Sequence, residues 1–291
     1  MNSIDSIISF LNKENYYTKA SALFRVLLCS VLLLDFVFHI ESIKDFYSLN
    51  TWFESSSQSS FLIAVREHVY LFFSIYAITL ILYLLGIGRN LTAGLFFLLF
   101  IIKFILTPEV TNWIDRILLV TVFYMVFVDS FSRLTLFKYK TPFLRIDKST
   151  INLISNLAVC LIIGNIFLIY ADNGIAKLFE RDWLNGQAFY FSVKHMWIDG
   201  TGLNDLLANN IYISAVATYG TLLSQALFVP LVLMKRTKNF IVGITILFHL
   251  IVAVCFYLYK FQAIMISLHL FMYTDQEMLQ GKFLSKLWKA N

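Results

Sequence analysis

The sequence predicts an all-α fold: a polytopic membrane helical bundle of about eight transmembrane helices, with both termini cytoplasmic. Three observations predict it. Of 291 residues, 59% are hydrophobic and 14% charged, where a soluble domain carries about 25% charge. The mean hydropathy of +0.73 agrees. The apolar residues also form continuous runs rather than alternating, which argues against a β-barrel.

The runs, in order, are Ser21–Ile40, Val69–Gly86, Leu91–Thr107, Ile117–Phe131, Ile151–Ala171, Ile211–Met234, Phe240–Tyr257 and Phe261–Tyr273. Several are shorter than the roughly 20 residues a straight span needs. The fourth and eighth are the weakest, and the reading allows either to be broken, tilted or re-entrant. Ahead of the first run, Ser3–Leu11 reads as a short surface helix. No small-residue cleavage site follows the first run, so the N-terminus does not read as a cleavable signal.

Basic residues set the expected orientation. Lys13 and Lys19, then Arg133, Lys138, Lys140, Arg145 and Lys148 in the loop 132–150, then Lys235, Arg236 and Lys238, then Lys282, Lys286 and Lys289 fall on one side of an even-numbered bundle. The positive-inside rule makes that side cytoplasmic. The net charge of +5 is thereby explained by topology, and no nucleic-acid partner is expected. Cys29, Cys160 and Cys255 lie within apolar runs and read as buried hydrophobes rather than a disulfide framework or metal site.

Two outer segments exceed simple turns. Residues 41–68 hold Phe46, Tyr47, Trp52 and Phe53. Residues 173–210 hold Trp183, Phe189, Tyr190, Phe191 and Trp197. They are either interfacial aromatic belts or a roof over an outward-facing pocket.

Ionisable groups at membrane depth are costly and face the bundle interior. Arg25 and Asp35 lie in the first run, Lys103 in the third, and Asp115 opens the fourth. Arg25 is close enough to the inner end to snorkel. Asp35 is deeper and calls for a partner. Lys103 and Asp115 share the outer half, where pairing with each other or with Lys177 is open. His249 and His269 sit in the last two runs, as satisfied core histidines or as pocket groups.

Lys177 follows the fifth run. If that helix continues outward, Tyr170, Gly174, Lys177 and Arg181 share a face, and Gly174 admits a close neighbour. Lys177 is then either an inert snorkelling anchor or a desolvated general base.

Three segments carry a family resemblance. They are Ala22-Leu-Phe-Arg25-Val-Leu-Leu with Asp35 and Phe46-Tyr47, Asn112-Trp-Ile-Asp115-Arg116-Ile-Leu-Leu, and Tyr170…Gly174-Ile-Ala-Lys177-Leu…Trp183…Gly186 followed by Lys194-His195 and Trp197. Together they resemble the HTTM family, the horizontally transferred transmembrane domain proteins related to vitamin K-dependent gamma-glutamyl carboxylase. The likeness covers most of the chain, which reads as a single such domain over residues 1–291.

The resemblance implies that Lys177 matches the carboxylase's hydroquinone-deprotonating lysine. It implies that His249 matches a later-span histidine, and that Asp115 stands where the carboxylase has a histidine. Tyr170, Gly174, Trp183, His195, Arg25 and Asp35 are the lining candidates. A quinol is the cofactor it suggests. Gamma-carboxylation of a partner protein is not expected, because the chain ends soon after the eighth run.

By size and architecture the chain looks like the sporulation-delaying protein B type among short bacterial members. That type implies a bacterial inner-membrane factor that matures an exported antimicrobial peptide, with the peptide precursor and a second maturation protein as partners. The alternatives are a non-enzymatic scaffold or immunity partner of such a peptide, and a quinone-dependent enzyme. A transporter would call for inverted repeats with paired, glycine-broken spans, and the sequence shows none.

Overall fold

The computed structural model describes residues 3–48, 59–106, 113–137, 147–194, 204, 207 and 209–280. Among these the fold is all helical, with no strand. In order the helices are α1 (Ser3–Lys13), α2 (Thr18–Phe38), α3 (Ile43–Tyr47), α4 (Ser60–Glu67), α5 (Val69–Leu84), α6 (Arg89–Leu106), α7 (Trp113–Met125), α8 (Lys148–Lys177), α9 (Arg181–Leu184) and α10 (Ala188–Val193). Then come α11 (Ile211–Ala226), α12 (Phe228–Leu233), α13 (Lys238–Phe256), α14 (Tyr259–Leu268), a 3-10 turn (His269–Met272) and α15 (Asp275–Gln280).

A helix lies on each of the eight apolar runs, though the one on the fourth stops at Met125, short of the run's end. Four helices, α2, α6, α8 and α13, are long and apolar enough to cross a membrane. A fifth crossing results if α4 and α5, bent by 85°, count as one span. The sixth run breaks at Leu227, between α11 and α12. Pro230 lies in the first turn of α12, where its missing N–H costs nothing. The eighth run ends in the 3-10 turn after ten α-helical residues. α7, over the fourth run, has 13 residues.

The chain divides into two compact units, Met1–Ile162 with Tyr273–Asn291, and Ile163–Met272. In the first unit α2 packs on α5, α5 on α6, and α6 on α7. A chain of rings fills the space between them: Phe73 meets Tyr76, Tyr76 meets Phe96, and Phe96 meets both Tyr83 and Phe100. The outward faces are also apolar. Leu71, Ile75 and Ile78 on α5 and Leu91, Leu95 and Leu98 on α6 are exposed at helical spacing. Such faces need lipid rather than water around them.

Arg25 explains much of this unit's order. Its Nη1 donates to the carbonyls of Tyr83 and Leu84, both at 2.6 Å. Its Nη2 donates to Arg133 at 3.2 Å and Leu134 at 2.6 Å, and its Nε to Ser130 at 3.2 Å. The last carbonyls of a helix lack intrahelical donors, and a cation there also suits the helix dipole. Arg25 therefore ties the end of α5 to the loop after α7. Its 0% exposure corrects the expectation that it snorkels to solvent. Arg66 does the same work elsewhere, donating to the carbonyls of Ser48 and Leu106 at the ends of α3 and α6.

Distant side chains also cap α2 and α1. The Asp275 carboxylate accepts from the Thr18 N–H at 3.1 Å, the Lys19 N–H at 2.8 Å and the Thr18 hydroxyl at 2.5 Å. Asp275 itself opens α15, where Thr274 and Glu277 form a capping box. On α8, Asn156 donates to the carbonyls of Leu11 and Glu14, both at 2.8 Å, and Asn152 to that of Asn12 at 3.1 Å. These contacts gather the end of α1, the start of α8 and the start of α15. Beside them opens a cavity of about 420 Å³, lined by Lys13, Asn15, Asp129, Arg133, Lys148 and Asp275 among others.

Candidate functional site

The chemistry-bearing groups of the second unit come from three helices and the 3-10 turn. Thr245 and His249 are four residues apart on α13, and Gln262 and His269 are seven apart across α14 and its turn. Each pair therefore shares a helix face. Tyr170 on α8 meets both pairs. All five side chains are buried, Tyr170 at 2% exposure, His249 at 3% and His269 at 2%.

The Tyr170 hydroxyl lies 2.7 Å from His249 Nε2 and 3.1 Å from His269 Nε2. Thr245 Oγ1 lies 3.1 Å from the same His269 Nε2. His269 Nδ1 donates to the Met265 carbonyl at 2.8 Å, and a carbonyl only accepts. Nδ1 of a neutral His269 therefore carries the proton, and Nε2 accepts. His249 Nδ1 donates likewise to the Gln262 amide oxygen, so its Nε2 also accepts. The Phe228 ring stacks on Tyr170 at 4.0 Å between centroids and closes the cluster against apolar packing. In such surroundings every unpaired polar group is costly, and this pairing offers each one a partner.

Two turns further along α8, about 10 Å at the usual rise, stands Lys177. Its Nζ donates to the Asn173 carbonyl at 3.2 Å and lies 4.9 Å from the centroid of the Trp183 ring. The residue is half-buried. α8 ends at Lys177 and Arg181 opens α9. The face expected to run from Tyr170 to Arg181 therefore stops at Lys177, because the chain turns there. The Asn185-Gly186 turn that follows uses a left-handed Gly186, φ +73°. It lets Tyr219 donate to the Leu184 carbonyl at 2.8 Å. Phe189 N–H donates to Thr218 at 3.0 Å, so α9 and α10 are pinned along α11.

Gly174 lies between Tyr170 and Lys177. A Cβ there would fall 2.5 Å from the Ala226 nitrogen and 2.6 Å from its Cα. Glycine is what lets the end of α11 approach α8 this closely.

A model of the HTTM domain matches residues 16–276 of the chain. The chain belongs to the HTTM family. With its apolar helices, it is a membrane protein of that family. The HTTM match covers the whole of the second unit and every group of the site described in it. Comparison with curated proteins and with solved structures gives no match.

Of the residues singled out in the sequence, the second unit joins Tyr170 to His249, and Lys177 to Trp183. Arg25, Asp35 and Asp115 belong to the first unit. Arg25 serves the end of α5. Asp35 pairs with His39 at 3.5 Å, one turn on. Asp115 is buried in the first turn of α7, where a carboxylate suits the helix dipole. Lys103 lies over the Phe100 ring at 5.8 Å. His195 and Trp197 lie outside the described residues, as do Trp52 and Phe53.

Sequence reasoning missed Thr245 and Gln262, and weighed His269 as a core or pocket histidine without counting it among the site candidates. The available signal was polar residues recurring at helical spacing inside apolar runs.

The quinol that the family resemblance suggests does not fit this cluster. Both imidazole Nε2 atoms already face hydroxyls of the chain, and the Phe228 ring covers Tyr170.

Proposed function

We propose that this HTTM protein is a multi-pass protein of the bacterial cytoplasmic membrane that serves the maturation of an exported antimicrobial peptide. Lys177 acts in it as a base on the outer side. The observation that carries this reading is the placement of Lys177 on α8, two turns from the buried Tyr170–His249–His269 cluster. A half-buried amine beside an aromatic ring is open to substrate, and a cluster rich in exchangeable protons lies on the same helix. Lys177 removes a proton from a peptide group and Trp183 offers a flat surface against which that substrate rests. The partners are the peptide precursor and a second maturation protein.

The topology that goes with this reading has about eight crossings and both termini inside. The convergence of α1 and the loop 132–150 around one polar cavity supports it, because two of the basic segments, through Lys13, Arg133 and Lys148, meet there.

The test is production of mature peptide by cells carrying Lys177→Met. Mature product should vanish while the protein stays inserted at wild-type level. Undiminished product would overturn the catalytic role.

One observation favours a second reading. The Asn173 carbonyl and the Trp183 ring are also the contacts of an interfacial anchor. On that reading the protein is a scaffold for the peptide, Lys177 is replaceable, and changes in α9 and α10 abolish function instead.

A further inference from the structure

We propose that Tyr170, His249 and His269 form a one-proton relay, in which a proton taken up by one imidazole passes to the other through the Tyr170 hydroxyl. The inference goes beyond peptide maturation and stands without it.

Three short contacts link the hydroxyls to the two Nε2 atoms: Tyr170 to His249, Tyr170 to His269, and Thr245 to His269. With both Nδ1 protons committed to Met265 and Gln262, the neutral cluster has two hydroxyl protons for these contacts. Tyr170 donates to His249, at the shorter distance, and Thr245 donates to His269. The contact of 3.1 Å between Tyr170 and His269 then sets lone pair against lone pair. The geometry has room for one more proton than the neutral groups hold.

An added proton on His269 Nε2 fills that contact. His269 donates to the Tyr170 oxygen, and Tyr170 still donates to His249. Thr245 is released to the Ile241 or Val242 carbonyl, each 3.0 Å away. Transfer then needs two short hops. The Tyr170 proton moves to His249 Nε2 as the His269 proton moves to the Tyr170 oxygen. Tyr170 ends neutral, His269 ends neutral, and the positive charge has crossed to His249. No bond other than O–H and N–H changes. A second proton is excluded, because two imidazolium rings with centroids 5.7 Å apart would share one phenol oxygen in a dry site.

The groups facing the relay are Thr245 and His249 from α13, Gln262 from α14, His269 from its turn, and the rings of Phe228 and Phe248. Charged residues on the same elements lie further along: Asp172 and Lys177 on α8, Lys238 at the start of α13, and Lys260 at the start of α14. Gln262 and the Met265 carbonyl are positioning groups, since each fixes which nitrogen of its histidine is bare.

The test is nitrogen-15 NMR of histidine-labelled protein in lipid nanodiscs, titrated from about pH 8 to about pH 3. A shared proton makes the Nε2 signals of His249 and His269 move together, with one midpoint and each with about half the amplitude of full protonation. Tyr170→Phe keeps the stacked ring and removes the hydroxyl, and it should split the response into two separate midpoints. Separate full-amplitude titrations in the wild type, or no protonation of either ring, would overturn the relay. So would a Tyr170→Phe titration identical to the wild type. If that variant fails to fold, the wild-type amplitudes decide alone.

Discussion

Arg25 shows how far a single side chain organises the first unit. All its donors go to backbone carbonyls from two separate stretches, 83–84 and 130–134. Removing a partner from a buried carbonyl costs about 1–3 kcal/mol. Arg25→Leu leaves several carbonyls without a donor, so the loss should reach at least about 3 kcal/mol. Thermal unfolding in detergent measures it. Arg25→Lys should recover only part, since an ammonium cannot span both stretches as a planar fork does. A variant as stable as the wild type would show that water or lipid replaces the guanidinium. This role was not legible in the sequence. Backbone carbonyls leave no side-chain signal, so Arg25 read as a lone cation near a membrane edge.

At the scale of elements, fit depends on a few positions where helices meet or begin. Gly174→Ala drives a methyl group into the Ala226 backbone. Backbone cannot swing aside like a side chain, so the change should cost about 1–3 kcal/mol and part the ends of α8 and α11. A crosslink between cysteines placed at Ala171 and Ala226 should then form more slowly than in the parent. Asp275→Ala leaves the first N–H groups of α2 without their acceptor and should cost about 1–2 kcal/mol. Asp275→Asn should lose less.

The first turn of α8 carries a pH dependence. The Thr150 hydroxyl and N–H donate to Asp147 and hold its carboxyl below the ordinary carboxylate value. A carboxyl lowered by folding stabilises the fold above its unfolded value, and the gain is lost as pH falls through the lowered one. Protection of the amides at the start of α8, measured against their intrinsic exchange at each pH, should therefore fall in acid. Asp147→Asn should flatten that response. Equal acid sensitivity in the variant would contradict the capping role.

For the whole molecule, apolar runs made helices and membrane character readable from the sequence, and the HTTM match agrees with the segments that carried the resemblance. The crossings were less readable. The sixth run breaks at Leu227 and the eighth gives way to a 3-10 turn, and neither break changes hydropathy. The site was legible in part. Tyr170 and His249 stood out as a family-matched tyrosine and a histidine at depth. Gln262 and Thr245 did not, because a lone polar residue in an apolar run has no visible partner until the helices pack. For the topology, single cysteines at Asn15, Ser149 and Gln276 should all react with an impermeant thiol reagent from the cytoplasmic side. A cysteine at Asn185 should react from the other. Any of the first three reacting from outside would break the even-numbered arrangement.

The proposal that Lys177 gives up and takes a proton is tested most directly by Lys177→Arg. Arginine keeps the positive charge, the reach to the Asn173 carbonyl and the affinity for the Trp183 face, but it does not deprotonate in proteins. Secreted mature peptide would be measured in cells producing the variant at wild-type level. Mature peptide should be lost, as with Lys177→Met. Full production with arginine and none with methionine would contradict it and leave Lys177 as a charged anchor.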